Sequence, residues 1–498
     1  MLGLDITAGQ VLLALYFIFL ALFFRFFWWK YFADRHYWRR RPILSIPLVQ
    51  ELANRQGRDL PFISLLVPAR NEAEVIANTV EHLAGLDYPR ERYEIVVITD
   101  EKELLARQRG EHPGFTTQQM VEAKQREWRS AGGKPQLKHV IVPYDFSGRF
   151  RGGCTGREVP STKARALNYG LEFLDPRTEI CGFYDAESHP EPQAPLYIAY
   201  RWLITGGSEQ LWQGPVFQVR NFFALGPITK VAALYQALAH EWYYPALMQR
   251  LPFIGGTNFY ASRRLLEEIG GFDPQALTED LDLGVRAYLA ANAWPQYVPF
   301  YSTEQTPEAL RAFLRQRLRW ASGHLQVVEK LRQTRAYPER KRRQVLCRLL
   351  LKGQVEWTFY QMACLLPVAL IPVALAGWVD LTAGVPLWIN PWLRLNVIFY
   401  YGFTFYLWYR YRPYMNGCPP RGRLLSRLLA PVELLLLPVA SFFFPLPYTW
   451  AMILKLLGRA PKTWVKTPRT REAAVPPAIP VHTAGRLAMG TGEAARRS

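Results

Sequence analysis

The sequence predicts an α/β domain held between apolar, membrane-spanning helices, and three observations predict it. Short apolar runs of strand type alternate with a helical pattern from about residue 62. Long apolar runs flank that region on both sides, and basic clusters sit beside those runs. The chain has 498 residues, 50% hydrophobic and 14% aromatic. That length is too great for one hydrophobic core, and that composition excludes disorder for most of the chain.

The run 11–24 is unbroken and apolar, and Phe26, Phe27, Trp28 and Trp29 extend it with only Arg25 intervening. About 20 residues from Thr7 onward are enough to span a bilayer, with Trp28, Trp29 and Tyr31 at its interface. The segment lacks a basic start and a small-residue cleavage site, so it reads as an anchor and not as a cleaved signal peptide. Within about 33–352, the runs 62–67 and 94–98 have the short, continuous apolar character of buried parallel strands. Between them, residues 72–86 place Val75, Ile76, Val80 and Leu83 at helical spacing and stop near Gly85 and Pro89. Strand, helix and strand form a βαβ unit, which puts ligand loops at the strands' carboxyl ends. Further strands are expected at 136–142 and 179–184, and an amphipathic helix at 307–331.

Membrane candidates follow at 359–378, 395–408 and 428–457. The connection 379–392 has no Lys or Arg, whereas 410–427 is dense in them. The first is therefore expected outside the cytoplasm and the second inside it. The last stretch holds Glu433 and four prolines, Pro431, Pro438, Pro445 and Pro447. It reads as a broken or re-entrant helix, with a plain span as the alternative. From about Thr470 the Ala-, Pro-, Gly- and Arg-rich tail reads as disordered. The expected layout is an anchor at 1–32, a cytoplasmic α/β domain at 33–305 and interfacial helices at 306–352. A membrane region at 353–458 and a basic cytoplasmic tail at 459–498 complete it.

Lys and Arg number 60 against 41 Asp and Glu, a net +19. The charge clusters beside apolar runs: Arg35 and Arg39 to Arg41, Lys341 to Arg343, Arg410 and Arg412, and Arg421, Arg423 and Arg427. This is a juxtamembrane pattern, so the expected partner is membrane lipid and not nucleic acid. Five cysteines, none paired at metal-ligand spacing, exclude a disulfide scaffold, and Cys154 and Cys181 read as buried apolar residues.

Chemistry-bearing residues recur after the strands. Pro68-Ala69-Arg70-Asn71-Glu72 follows the first, Thr99-Asp100-Glu101 the second and Tyr184-Asp185-Ala186-Glu187 the fourth. Thr278-Glu279-Asp280 and Gln316-Arg317-Leu318-Arg319-Trp320 come later. Singly, such acidic groups are ordinary loop and cap residues. As an ordered set over about 60–330, they resemble the family 2 glycosyltransferases. These are inverting enzymes with a GT-A (Rossmann-like) fold, and the membrane-bound branch of cellulose, chitin and hyaluronan synthases is nearest. Gly255-Gly256-Thr257-Asn258, Gly270-Gly271-Phe272-Asp273 leading into Thr278 to Leu283, and Lys163 to Asn168 carry the same likeness. Asp185-Ala186-Glu187 with Pro190-Glu191-Pro192 is similar to a motif of bacterial exopolysaccharide synthases. Two departures stand out: Thr99 and Ser188 replace residues that are acidic in much of the family.

The resemblance implies a hexosyltransferase that takes a nucleotide sugar, UDP-glucose or UDP-N-acetylglucosamine, and extends and exports a β-linked glycan. It also implies a bacterial inner or plasma membrane location with the catalytic domain cytoplasmic. Asp185 and Glu187 would hold Mg²⁺ or Mn²⁺, a choice that suits hard oxygen ligands facing a diphosphate. Asp100 would hold the uridine, and Asp280 would be the general base. Glu72 and Lys163 join the donor site, with Glu279 and Asp282 in support. Arg319 can pair with the diphosphate and Trp320 can stack on an acceptor sugar, with Gln316 beside them. The structural alternative for that helix is an amphipathic segment on the membrane with snorkelling arginines. Thr257, Asn258 and Gln213 are candidate acceptor contacts, and His240 and His324 are packing residues. Lys462-Thr463-Trp464 and Lys466-Thr467 resemble a tail motif that gates some synthases. Two rival readings are single-sugar transfer to a lipid carrier, polyprenyl phosphate or ceramide-like, and a non-catalytic nucleotide-sugar-binding membrane protein.

Overall fold

The computed structural model describes residues 7–111, 114–418, 424–461, 470 and 472. Its strands are β1 (Phe62–Pro68), β2 (Tyr93–Asp100), β3 (Gln136–Val142), β4 (Thr178–Phe183) and β5 (His189–Pro190). They continue as β6 (Leu211–Gln213), β7 (Val216–Phe217), β8 (Phe259–Ser262), β9 (Gln296–Tyr297) and β10 (Ser302–Thr303). One sheet has the order β3-β2-β1-β4-β8-β6-β9, and a small one has the order β5-β10-β7. β1 pairs in parallel with β2 and with β4, and β2 with β3. Such central strands are covered on both faces, which explains the unbroken apolar runs read from the sequence. Ile63, Leu65 and Val67 join one core layer, while Leu66 joins the opposite layer with Val96 and Ile98. β8 runs antiparallel to both β4 and β6. The sheet is therefore mixed, as the α/β GT-A expectation allows.

The first helix of the βαβ unit is Ile76–Ala84 and not the longer 72–86 segment. Residues 69–75 are drawn into a loop instead. Asn71 takes a left-handed backbone (φ 55) and its N–H donates to Glu103 Oε2 at 2.8 Å, while the Glu72 N–H donates to Thr117 Oγ1 at 2.8 Å. The amphipathic helix is Leu310–Gln333. It begins after Pro307, and its Ala321 and Leu325 pack against Ala451 of the helix Leu446–Leu456.

Two stretches are long and apolar enough to cross a membrane, Ala8–Arg40 and Ser426–Leu456. Helices Trp357–Leu375 and Ile389–Tyr411 occupy the other two expected segments. Phe23 packs its ring against Phe399, Tyr400 and Phe403, joining the first apolar helix to Ile389–Tyr411. The last apolar stretch is interrupted at its prolines. Helix Leu424–Glu433 gives way to a 3₁₀ turn, Leu434–Leu436, then to Leu437–Phe443 and Leu446–Leu456. Glu433 inside this stretch forms an ion pair with Lys230 of the helix Pro227–Leu238. The pairing explains how an apolar run carries a carboxylate.

Three sequence expectations change. Arg410, read as a lipid-facing charge, donates from Nε to Glu241 Oε2 at 2.9 Å, and Tyr411 Oη donates to the same carboxylate at 2.6 Å. Cys154 is exposed, because it sits at an isolated bridge to Phe146 on an open loop, while Cys181 is buried in β4. Two residues at the start of the tail, Thr470 and Glu472, are held against the domain. Glu472 pairs with Arg220, and the Thr470 N–H donates to Gln305 Oε1 at 2.8 Å. The motif at 462–467 lies outside the described residues.

Lys230 is almost wholly buried, so Glu433→Ala leaves a cation with no counter-charge. Thermal unfolding of the detergent-purified chain is expected to show a loss of about 3 kcal/mol. Lys230→Met combined with Glu433→Leu is expected to recover most of it.

Candidate active site

A cleft of about 480 Å³ opens where β1, β2 and β4 end. Pro68 to Arg70, Thr99 and Asp100, and Asp185 to Glu187 line it from those three strand ends, the position a parallel sheet reserves for ligands. Glu72, Lys163, Thr257, Glu279, Asp280, Gln316, Arg319 and Trp320 line it as well. The sequence-derived donor and metal candidates are thus brought together, while two of the acceptor candidates, Asn258 and Gln213, stand apart.

Asp185, Glu187 and Glu304 place carboxylate oxygens within 4.8 Å of one another. Three oxygen ligands converging at the edge of a cleft suit a hard divalent cation. Glu304 escaped sequence reasoning. It follows β10, and β10 lies antiparallel to β5 with Thr303 opposite His189. That pairing lays Glu304 beside the Asp185–Ser188 turn. Ser188 Oγ donates to Glu304 Oε1 at 2.5 Å, and the Asp185 N–H donates to Ser188 Oγ at 2.9 Å. The serine at the family's usual acidic position thus holds a carboxylate that arrives from elsewhere in the chain. Thr257 Oγ1 accepts from the Asp185 N–H at 3.2 Å and lies 2.8 Å from Ser188 Oγ, so Thr257 braces the same turn.

Lys163 begins the helix Lys163–Leu171, whose Thr162 cap accepts the Arg165 N–H at 3.1 Å. Its Nζ donates to Asp185 Oδ1 and, at 2.5 Å, to the Gly256 carbonyl. Burial opposes the ammonium charge, but Asp185, Glu279 and Asp280 outweigh it and hold Lys163 above its usual range. Two residues on, Arg165 Nη1 donates to Asp100 Oδ2 at 3.0 Å, which Ser161 Oγ also approaches at 2.5 Å. Asp100 Oδ1 accepts the Lys102 N–H at 3.0 Å and caps the next helix. Asp100 is therefore rigidly held at the rim of the cleft. Thr99, beside it, has its Oγ1 2.8 Å from His139 Nε2.

Asp280 lies in the first turn of the helix Glu279–Ala291, where the helix dipole favours an anion. Burial and the adjacent Glu279 nevertheless push its carboxyl up to about 7, against the pull of the Leu281 N–H, Lys163 and Arg319. Gly256 keeps the space before it open: a Cβ there would lie 3.2 Å from Asp280 Oδ2 and 3.5 Å from Lys163 Nζ. Asp282, on the same helix, faces away from the cleft and accepts from Arg286 Nε and Lys330 Nζ, both at 2.6 Å. It ties this helix to Leu310–Gln333. From the latter, Arg319 Nη1 donates to the Leu277 carbonyl at 3.3 Å. Trp320 carries the Arg317 guanidinium 4.1 Å above its ring. Arg317, to which its place in the motif assigned no role, also lines the cleft.

Asn258 is the first of the two acceptor candidates that stand apart. It is buried, has a left-handed backbone (φ 51), and donates from Nδ2 to the carbonyls of Pro215 at 2.9 Å and Phe300 at 2.8 Å. It shapes the loop and does not line the cleft. Gln213 is likewise buried, accepting the Gly255 N–H at 2.7 Å and donating to the Thr257 carbonyl at 3.0 Å. His240 accepts the Val216 N–H at 3.1 Å and His324 lies 3.0 Å from the Leu349 carbonyl, so both are packing groups at the cleft's border.

Beyond these residues the cleft continues between the apolar helices, past Arg25, Trp29, Tyr243, Lys352, Trp357 and Tyr360.

Residues 183–464, more than half of the chain, match the family described as glycosyl transferase family group 2. The protein named "Probable glycosyltransferase YdaM" of Bacillus subtilis is 28% identical over 281 residues, 55% of this chain and 57% of its own. A β-monoglucosyldiacylglycerol synthase of Synechocystis sp. is 26% identical over 275 residues, 53% of this chain and 48% of its own. The chain spans about half the length of the curated relatives it matches. Among solved structures, a mannosyltransferase from Pyrobaculum calidifontis in complex with GDP-Man and Mn²⁺ is 17% identical at a TM-score of 0.47. That alignment covers 88% of this chain and 99% of the other.

The raised carboxyl of Asp280 has a stability consequence. Its folded value of about 7 lies above the ordinary 3.8, so ionising it costs folded-state stability progressively between those values and fully above about pH 7. Asp280→Asn is expected to raise the unfolding midpoint at pH 8 and to leave it unchanged near pH 4. A lower midpoint at pH 8 contradicts the assignment.

Proposed function

The chain belongs to glycosyl transferase family group 2, and within it we propose a metal-dependent, inverting hexosyltransferase that works at a membrane. The donor is a nucleotide sugar, UDP-glucose or UDP-N-acetylglucosamine, and the acceptor is a growing β-linked glycan that leaves along the apolar helices. The observation that carries this reading is the carboxylate group Asp185-Glu187-Glu304 in one cleft with Asp280, the cleft continuing between apolar helices. The catalytic domain faces the cytoplasm of a bacterial plasma membrane, with Ala8–Arg40 and the C-terminal helices embedded.

Asp185, Glu187 and Glu304 would hold Mg²⁺ or Mn²⁺, which supplies positive charge to the diphosphate leaving group. The remaining steps belong to this chain's residues. Asp100 at the rim orients the uridine. Arg319 presents its guanidinium to the diphosphate, and Trp320 offers a flat face to the acceptor sugar. Ionised Asp280 takes the proton of the acceptor hydroxyl. The new bond from that oxygen to the anomeric carbon forms as the bond to the diphosphate oxygen breaks on the opposite face, which inverts the centre. A base that titrates near neutrality combines enough ionised form with enough basicity to take that proton.

A second reading, single transfer to a lipid, is favoured by a specific observation: one relative is named for making monoglucosyldiacylglycerol. Organic-solvent-extractable label with no high-mass product supports it, whereas high-mass product supports glycan extension.

The test is release of the nucleoside diphosphate from a panel of UDP- and GDP-sugars by detergent-purified protein, with Mn²⁺, Mg²⁺ or chelator. One donor is expected to turn over, with activity abolished by chelator and restored by metal. Asp280→Asn is expected to lose about 10³-fold in rate while still binding UDP. The rate is expected to rise with pH through about 7, as Asp280 ionises. Glu304→Gln is expected to raise the metal concentration for half-maximal activity about tenfold or more. An unchanged metal requirement removes Glu304 from the ion site.

A further inference from the structure

The two halves of the cleft differ in charge. Carboxylates crowd the donor half, whereas the membrane-side half is lined by Trp29, Tyr243, Trp357 and Tyr360 with three cations, Arg25, Arg317 and Lys352, against one carboxylate, Glu356. Arg25 uses that carboxylate at 2.7 Å. Lys352 Nζ donates to Tyr243 Oη at 2.7 Å and forms no ion pair among the described residues.

Arg317 is the more telling group. Its Nη1 donates to Gln236 Oε1 at 2.9 Å, and Nη2 lies 3.5 Å from Gln218 Oε1. Its guanidinium carbon lies 4.1 Å from the centre of the Trp320 ring and 4.8 Å from that of Phe313. Among the described residues no carboxylate pairs with it, and its buried Nε has no hydrogen-bond partner. Burial, offset only in part by Tyr244, pushes it down to about 9. If Arg317 only packed Leu310–Gln333 against Pro227–Leu238, an apolar side chain of similar length would do so without the desolvation of an unpaired charge. Two glutamine carbonyls and two aromatic faces instead hold its planar fork in place beside the acceptor-stacking tryptophan. A fixed fork of this kind matches phosphate oxygens in two-point contact.

We propose that the membrane-side half of the cleft recognises a phosphate group on the acceptor, with Arg317 as its principal contact and Lys352 in support. Two cations beyond the Arg25–Glu356 pair match a phosphate dianion better than a neutral sugar or a single carboxylate. The phosphate is carried either by a lipid headgroup or by a phosphorylated glycan. The proposal rests on the glycosyltransferase reading for the identity of that half as the acceptor side.

The test is calorimetric titration of the detergent-purified full chain, loaded with UDP and Mg²⁺, with hexyl phosphate, hexyl glucoside and glucose 6-phosphate. The expected result is at least tenfold tighter binding of a phosphate probe than of hexyl glucoside. Preference for hexyl phosphate over glucose 6-phosphate assigns the phosphate to a lipid, and parity or the reverse assigns it to a glycan. Arg317→Gln is expected to abolish the preference for phosphate while UDP affinity stays within about twofold. Arg317→Lys, which keeps the charge and loses the fork, is expected to fall between them. Equal binding of the phosphate probes and hexyl glucoside by the wild-type chain overturns the proposal, with no variant needed. So does a phosphate preference that survives in Arg317→Gln, or an equal loss of UDP affinity. Wild-type protein that binds UDP without a phosphate preference fails this proposal alone, whereas protein that binds no nucleotide fails the parent reading.

Discussion

Lys163 stands among Asp185, Glu279 and Asp280, and its position makes so acidic a cleft tenable. Carboxylates brought this close in a partly dry space repel one another unless a cation is fixed between them. The chain fixes that cation on a helix N-terminus, so its backbone cannot drift. The same helix supplies Arg165, which neutralises Asp100 two residues further on. One short element thereby compensates carboxylates on two strand ends of the cleft. Burial and the adjacent Glu279 still raise the Asp280 carboxyl, which suits the general-base role proposed for it. Gly256 completes the arrangement by keeping side-chain bulk out of the space between Lys163 and Asp280.

The small sheet β5-β10-β7 has a function out of proportion to its size. It registers a turn from the middle of the domain against a segment more than a hundred residues later, and so gathers Asp185, Glu187, Ser188 and Glu304. Ser188 then looks less like a missing ligand than like the hydroxyl that positions a substitute carboxylate. The tail reinforces the same corner, since Gln305, next to Glu304, donates from Nε2 to Glu472 Oε1 at 2.9 Å. Substitutions in β10 or at Glu472 therefore act close to the proposed ion site without altering its three carboxylates.

The parallel half of the sheet was legible because a strand buried on both faces must be apolar throughout, and 62–67 and 94–98 read that way. The other half was not, since β6, β8 and β9 have only two to four residues each and carry no period. Asp185 and Asp280 lie in contiguous motifs at a strand end and a helix start, and Arg319 lies in one on the face of a long helix, so local sequence was enough to point all three at the cleft they line. Glu304 was hidden because tertiary pairing alone brings it near. Asn258 was misassigned because a motif records that a residue is constrained and not whether a ligand or the backbone constrains it. Arg410 was misread in the same way, as its partner Glu241 is remote in sequence. The interruptions near Pro431, Pro438 and Pro445 were visible because the proline ring removes a helix hydrogen bond wherever it occurs.

The cleft separates charge along its length, acidic where the metal and leaving group would sit and cationic where the acceptor would enter from the apolar helices. That polarity fits the proposed single displacement, with Asp280 as the proposed base on the acceptor side. The most direct measurement is the anomeric configuration of the product, read by proton NMR, from an α-linked nucleotide-sugar donor with metal present. The account predicts a β-linked product from the first turnover. An α-linked product would mean that the anomeric centre is retained, and would contradict a single in-line displacement with Asp280 as base.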